Sequence, residues 1–340
     1  MNKYTPIAAG VFLAIAASGA MANTILINQN GVGNMIAPVQ DVTVVNGTII
    51  INQVGDFNKS TPEQTGTTSN SLIAHTQIGD MNMAESFQDN SALSFGIINQ
   101  EGDSHQATTN QSLTGGSSAT IFQSGTGAQS ATVNQFAVLT NFATVNQAGS
   151  PNSANVNQSF GVANTTLVNQ SSSYATGNSI TTMQTGGIFN SIEAHQDGRE
   201  NSALVSQAFG SGNISFSWQD GKVNDINVAQ SGNNNYSGIW QFWESNVAIH
   251  NQSGDDNWAM TEQLTPHNLA AVSQPGDMNV SNIHQSGGTQ NTTFLTQSGN
   301  NNSLDATQVG NSNLISVLQA GNGDMHVVSQ IGDNNMYVFP

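Results

Sequence analysis

The residues of this 340-residue chain with the potential for catalysis or metal binding are seven histidines, 21 acids and abundant serine. Their spacing does not gather them. The histidines are scattered and no two form a close pair with a third ligand, as a metal site would require. A Ser/His/Asp grouping among so many serines would be chance. Asp56, Asp80 and Asp103 do recur, at nearly equal intervals. Turn carboxylates are calcium ligands, so a cation column is one reading; a solvated acidic ridge that keeps the chain soluble is the other. The residue type that recurs most strictly is glutamine, whose primary amide donates and accepts hydrogen bonds. Gln219, Gln230, Gln241, Gln252, Gln263, Gln274 and Gln285 keep one constant interval without a slip. Asparagines follow five or six residues later, at Asn224, Asn235, Asn246, Asn257, Asn268 and Asn279.

Extended both ways, the ladder holds 27 glutamines from Gln29 to Gln330, with 15 spacings of 11, eight of 12, two of 13 and one of 14. A short fixed period over nearly a whole chain signals stacked supersecondary units. Two and four residues before each Gln stand small or β-branched apolar side chains, such as Val145 and Ala143, or Val228 and Ile226. That period of two marks a half-buried strand. None of the 21 acids occupies the Gln slot or the slots two and four before it. An unpaired buried carboxylate costs several kcal/mol, so this parity faces inward; only Asp324 takes an inward slot, in place of the usual Asn.

Gly follows two residues after 18 of the 27 glutamines, as in Gly79, Gly149, Gly198, Gly254 and Gly310. Gln-x-Gly-x-x-Asn is tight-turn chemistry. Turns alternate between tighter and looser, so the unit spans two ladder intervals: strand, tight turn, strand, looser turn. The expected fold is all-β: a two-sheet parallel β-solenoid of about 13 coils, one domain over residues 23–340, without helix. In-register ladders would satisfy the buried amides. Pro38 and Pro62 predict faults near Gln40 and Gln64, and the widest interval, from Gln170 to Gln184, predicts a bulged loop.

Residues 1–22 form a separate object: Lys3, an apolar run from Ile7 to Ala17, and Ala20-Met21-Ala22 as a small-residue cleavage site. They predict a secretory signal peptide cut after Ala22. Losing Lys3 with it takes the formal charge from −17 to −18. No later segment is apolar enough to span a bilayer. Three remaining basic residues leave no electrostatic footprint for nucleic acid. Absence of cysteine excludes disulfides and thiolate metal sites. Polysaccharide-cleaving β-helices generally need basic residues or bound calcium, so the chain is not expected to be an enzyme, and no cofactor is implied.

Ser71-x5-Gln77-x-Gly79-x-x-Asn82-x-Ala84-x3-Gln88 resembles the full repeat signature of curlins, the subunits of bacterial curli fibres. The segments Gln147 to Gln158 through Asn152, Gln196 to Gln207 through Asn201, and Gln252 to Gln263 through Asn257 match its second part. The resemblance covers residues 23–340. It implies a secreted functional amyloid that assembles outside the cell into adhesive biofilm fibres on the cell surface. It also implies export through an outer-membrane secretion pore, periplasmic chaperones and a nucleator subunit. Curlins carry about five repeats and this chain about 13; the major subunit's Gly-rich leader is missing; no basic residue follows Lys222, unlike the nucleator. The chain is thus closer to a major subunit.

One surface feature stands apart. Trp218 and Trp240 precede Gln of one strand column, one full unit apart, and Phe216, Tyr236 and Trp258 share their outward parity. A contiguous apolar patch usually marks a contact site, here between fibres or toward an adhesive target. Two other functions stay open: a monomeric solenoid adhesin, and an ice-binding solenoid, which needs an outward Thr-x-Thr column found only in fragments such as Thr292 and Thr296. Neither end of the ladder carries a capping helix or charged plug, which favours end-to-end polymerisation.

Overall fold

The computed structural model describes residues 23–340; the predicted signal peptide, residues 1–22, lies outside them. The described residues form two parallel sheets facing each other, with strands alternating between them along the chain. One sheet runs from Thr24–Asn30 to Met325–Ile331 through 14 strands, and the other from Met35–Ile36 to Met336–Phe339. Gln29 aligns with Gln53, Gln53 with Gln77, and so through the first sheet. The sequence offset from one coil to the next runs from 22 to 26. At about 4.8 Å per coil, the solenoid is ~65 Å long.

The coils number 14, one more than the glutamine count implied. The last strand, Met336–Phe339, pairs with Leu314–Gln319 but reaches no glutamine. A ladder count misses it.

Burial alternates along the interior strands, except in Tyr236–Glu244 where the outward Gly238 is buried as well, and the inward parity is the expected one. Ile49, Ile51 and Ile73 pack near the first coils, and aliphatic side chains from Ala84 to Ala248 form one continuous cluster. A further cluster runs from Ala259 to Val328. Outward acids such as Glu193, Asp225 and Asp305 are exposed.

The proline faults came out unequally. Pro38 splits its strand into Met35–Ile36 and Val39–Gln40. Pro62 does not: it sits buried inside the continuous strand Lys59–Thr65, paired with Ser86. The N–H of Asn58, of the same parity, points back to the first coil. The missing N–H of Pro62 therefore faces the stretch that Pro38 has already interrupted, and one break serves both. The long interval after Gln170 makes an exposed loop, where the Arg199 guanidinium lies 5.1 Å from the Tyr174 ring.

Candidate functional site

The interior amides form two unbroken chains of hydrogen bonds. In the first sheet the Nε2 of each Gln donates to the Oε1 of the next at 2.7–3.0 Å, through Gln77, Gln147, Gln196, Gln219, Gln241, Gln263 and Gln285 to Gln330. In the second sheet Gln88, Gln158, Gln207, Gln230, Gln252 and Gln274 do the same. The second amide hydrogen crosses the interior to a backbone carbonyl of the other sheet, as from Gln77 to Lys59 and from Gln207 to Ser191. Each amide thus binds its neighbour along the axis and clamps the two sheets together.

The asparagines keep the expected amide-to-amide ladder only in part, as where Asn235 Nδ2 donates to Asn213 Oδ1 and Asn257 Nδ2 to Asn235 Oδ1, and they add bonds to the backbone. The Oδ1 of Asn58 accepts the backbone N–H of Asn82 at 2.9 Å, while Asn82 Nδ2 donates to the Gly102 carbonyl at 2.7 Å. Asn152, Asn201, Asn224, Asn235, Asn246, Asn257, Asn268 and Asn279 accept from or donate to successive coils in the same way. They staple side chain to turn backbone, because the shorter Asn side chain reaches the arc. The turn glycines Gly79, Gly149, Gly198, Gly254 and Gly310 all have positive φ. At Gly79 a Cβ would stand 2.1 Å from the Gly102 carbonyl oxygen. Stacking and backbone conformation both demand glycine there.

Asp56, Asp80 and Asp103 do stack on one edge. Asp80 Oδ1 accepts the backbone N–H of Asp56 at 2.7 Å, and Asp103 Oδ1 that of Asp80 at 2.8 Å. The carboxylates cap turn donors, and Asp255, Asp277 and Asp333 repeat the device. Among the described residues no group of three or more His, Cys, Asp or Glu gathers as metal ligands would. Sequence reasoning missed this role; recurrence at the third residue after Gln was its signal.

His75 and His250 are fully buried between the sheets. His75 bridges the Ser60 and Ser86 hydroxyls at 2.8 and 2.7 Å, and His250 bridges Ser237 and Thr261, both at 2.8 Å. Burial pushes both imidazoles down to about 3, so they are neutral. On the surface, Lys59 pairs with Glu85, Lys222 with Glu244 and His284 with Glu262, each across coils.

The aromatic patch lies on the outer face of the first sheet. Trp218 and Trp240 are in register, yet Trp218 stacks on His195, centroids 4.0 Å apart. Trp240 leans over Gly238, whose absent Cβ would stand 2.8 Å from the indole, and meets Phe216 at 5.3 Å. Tyr236 stacks on Trp258 at 4.0 Å. The hole at Gly238 lets the ring tilt, so the two tryptophans do not simply stack. Beyond His195 the face continues as a shallow groove of about 470 Å³, lined by Asn99, Glu101, Phe122, Asn146 and Asn169. On the other sheet, Phe294 stands outward between Thr292 and Thr296, so no threonine column forms there.

Fold and ladders together make a repeat β-solenoid, an architecture consistent with a structural or adhesin-like protein. No helix of the described residues is long and apolar enough to cross a membrane. In comparisons with known proteins, no family model matches the chain and no curated protein matches its sequence.

Proposed function

We propose that the chain is a secreted structural subunit that polymerises end to end into curli-like adhesive fibres, an extracellular functional amyloid. The observation that carries this reading is the polarity of the ladders. Every Gln donates toward the C-terminal coil. Among the described residues, Gln29 Oε1 accepts from nothing, and Gln330 Nε2 donates only to the Leu314 carbonyl. Asn335 Oδ1 likewise has no donor, and the Asn34 N–H no acceptor. A second copy set on the last coil would bring Gln29 to Gln330 and Asn34 to Asn335, continuing both devices. It would also pair the edge strands Thr24–Asn30 and Met325–Ile331, whose outer backbone groups invite pairing. The curlin-like repeats extend the proposal to export through an outer-membrane pore with periplasmic chaperones, and to nucleation by a partner subunit.

The test uses two single variants of the chain from Asn23. Ile27→Asp spoils the first coil's inner face and Val328→Asp the last coil's, each with a charge on an inward slot. Each alone should keep its β-structure and fail to elongate. Mixed, their two intact faces should give dimers that grow no further. Fibres from either variant at the wild-type rate would refute end-to-end stacking.

A further inference from the structure

The looser-turn edge, from the second sheet back to the first, carries a row of apolar side chains in an unexpected place. Two residues after Gln, where glycine stands in 18 of 27 repeats, this edge has Leu113, Ala137, Phe160 and Phe209 on four of the five coils from Leu113 to Phe209. Their φ values are 55°, 52°, 54° and 49°. That left-handed conformation favours glycine and asparagine and disfavours bulky residues. On the coil between Phe160 and Phe209 the slot is Gly186, and Phe189 takes a left-handed position at 59° instead. Leu139, Val162 and Ile188 continue the row through successive parallel bridges. Phe160, Phe189 and Phe209 are 64%, 69% and 78% exposed. The chain holds these side chains outward against the local preference of the backbone, and they contribute nothing to the interior.

The row is also free of charge. The five arcs spanning 112–117, 136–141, 159–164, 185–190 and 208–213 contain no acid and no base. On the same edge the arc before the row carries Asp89; after the row the arc 231–235 is also uncharged, and Asp255 and Asp256 follow one coil further on. In a chain of net charge −17, like-charge repulsion is weakest here when two copies approach. Asp89 on one side and Asp255 and Asp256 on the other oppose contacts shifted far along the axis. They also oppose an anionic lipid surface.

We propose that this edge is the lateral contact between fibres, its partner being the same edge of a second copy. The proposal rests on the end-to-end reading above. Five coils make a strip ~24 Å long, well short of the roughly 800 Å² per partner of a standard stable interface. One pair of subunits would not hold. Along a fibre the strip recurs once per subunit, and linked weak contacts add into strong bundling.

The variant Leu113→Asn/Phe160→Asn/Phe209→Asn tests it, since Asn90 already occupies the same slot at φ 49°. Filament growth should stay within about twofold of wild type, while the fraction of fibre pelleting at low speed falls at least fivefold. Leu139→Cys, in a chain with no other cysteine, should give disulfide-linked dimers within bundles on oxidation, and Asp103→Cys on the opposite edge should not. Unchanged bundling in the triple variant would overturn the proposal. So would bundles intact alongside lost binding to phosphatidylcholine vesicles, which would make the edge a lipid surface. Should wild type form no fibres, the end-to-end reading fails separately, and small-angle scattering of concentrated monomer decides. Attraction lost in the triple variant supports the edge contact; identical scattering refutes it.

Discussion

Gln219 donates one amide hydrogen to Gln241 Oε1 at 3.0 Å and the other to the carbonyl oxygen of Ser202, on the opposite sheet, at 2.9 Å. Its own Oε1 accepts from Gln196. One side chain therefore completes three hydrogen bonds in a dry interior. Gln219→Leu leaves two acceptors and one donor unpaired, each costing about 1–3 kcal/mol. Gln219→Glu adds a buried charge and is expected to be worse at pH 7, recovering in part as pH falls toward about 4, because burial raises the folded carboxyl's pKa above its unfolded value. Denaturant midpoints of both variants at pH 7 and pH 4 check the order.

The parity of the strands gives a paired prediction. Val228 is fully buried and Asp225, three residues earlier, is exposed. Val228→Asp should lose several kcal/mol of stability, whereas Asp225→Asn should be nearly neutral. Equal losses in chemical denaturation would mean the inward face is misassigned.

The buried histidines make stability depend on pH. Both imidazoles titrate near 6.5 when unfolded and about 3 when folded, so the unfolded chain binds more protons between those values. Their contribution is fully present above about pH 6.5 and is lost as pH falls toward 3, at about 1.4 kcal/mol per unit for each histidine. His75→Gln/His250→Gln should flatten that part of the stability profile. An equally steep profile in the double variant would show that other groups carry the acid sensitivity.

Trp218→Thr/Trp240→Thr removes apolar surface while keeping β-propensity. It also removes an indole N–H at Trp218 that has no partner. With bundling assigned to the looser-turn edge, the aromatic face is left with adhesion. Binding of fibres to a surface should drop while elongation and bundling continue. Loss of elongation would place the tryptophans in the core.

Period and parity made the solenoid legible. The near-constant glutamine interval and the exclusion of acids from one parity specify two parallel sheets and their interior before any coordinate. What stayed hidden depends on reach and direction. Asn and Asp differ from Gln by side-chain length, and only the three-dimensional turn shows that Asn82 and Asp80 bind backbone instead of each other. The His195–Trp218 stack joins residues on neighbouring coils, but a rotamer, and the hole at Gly238, decides which rings meet. Phe160 and Phe209 stand two residues after Gln158 and Gln207, where glycine is usual, and only the fold shows their positive φ.

The central claim is that this solenoid continues from one molecule into the next. Fibre diffraction on assemblies grown from the purified chain beginning at Asn23 tests it most directly. The account predicts fibres with a reflection at about 4.8 Å along the fibre axis, strands perpendicular to it. A chain that stays monomeric at concentrations where its β-structure is complete, or fibres with strands along the axis, would contradict it.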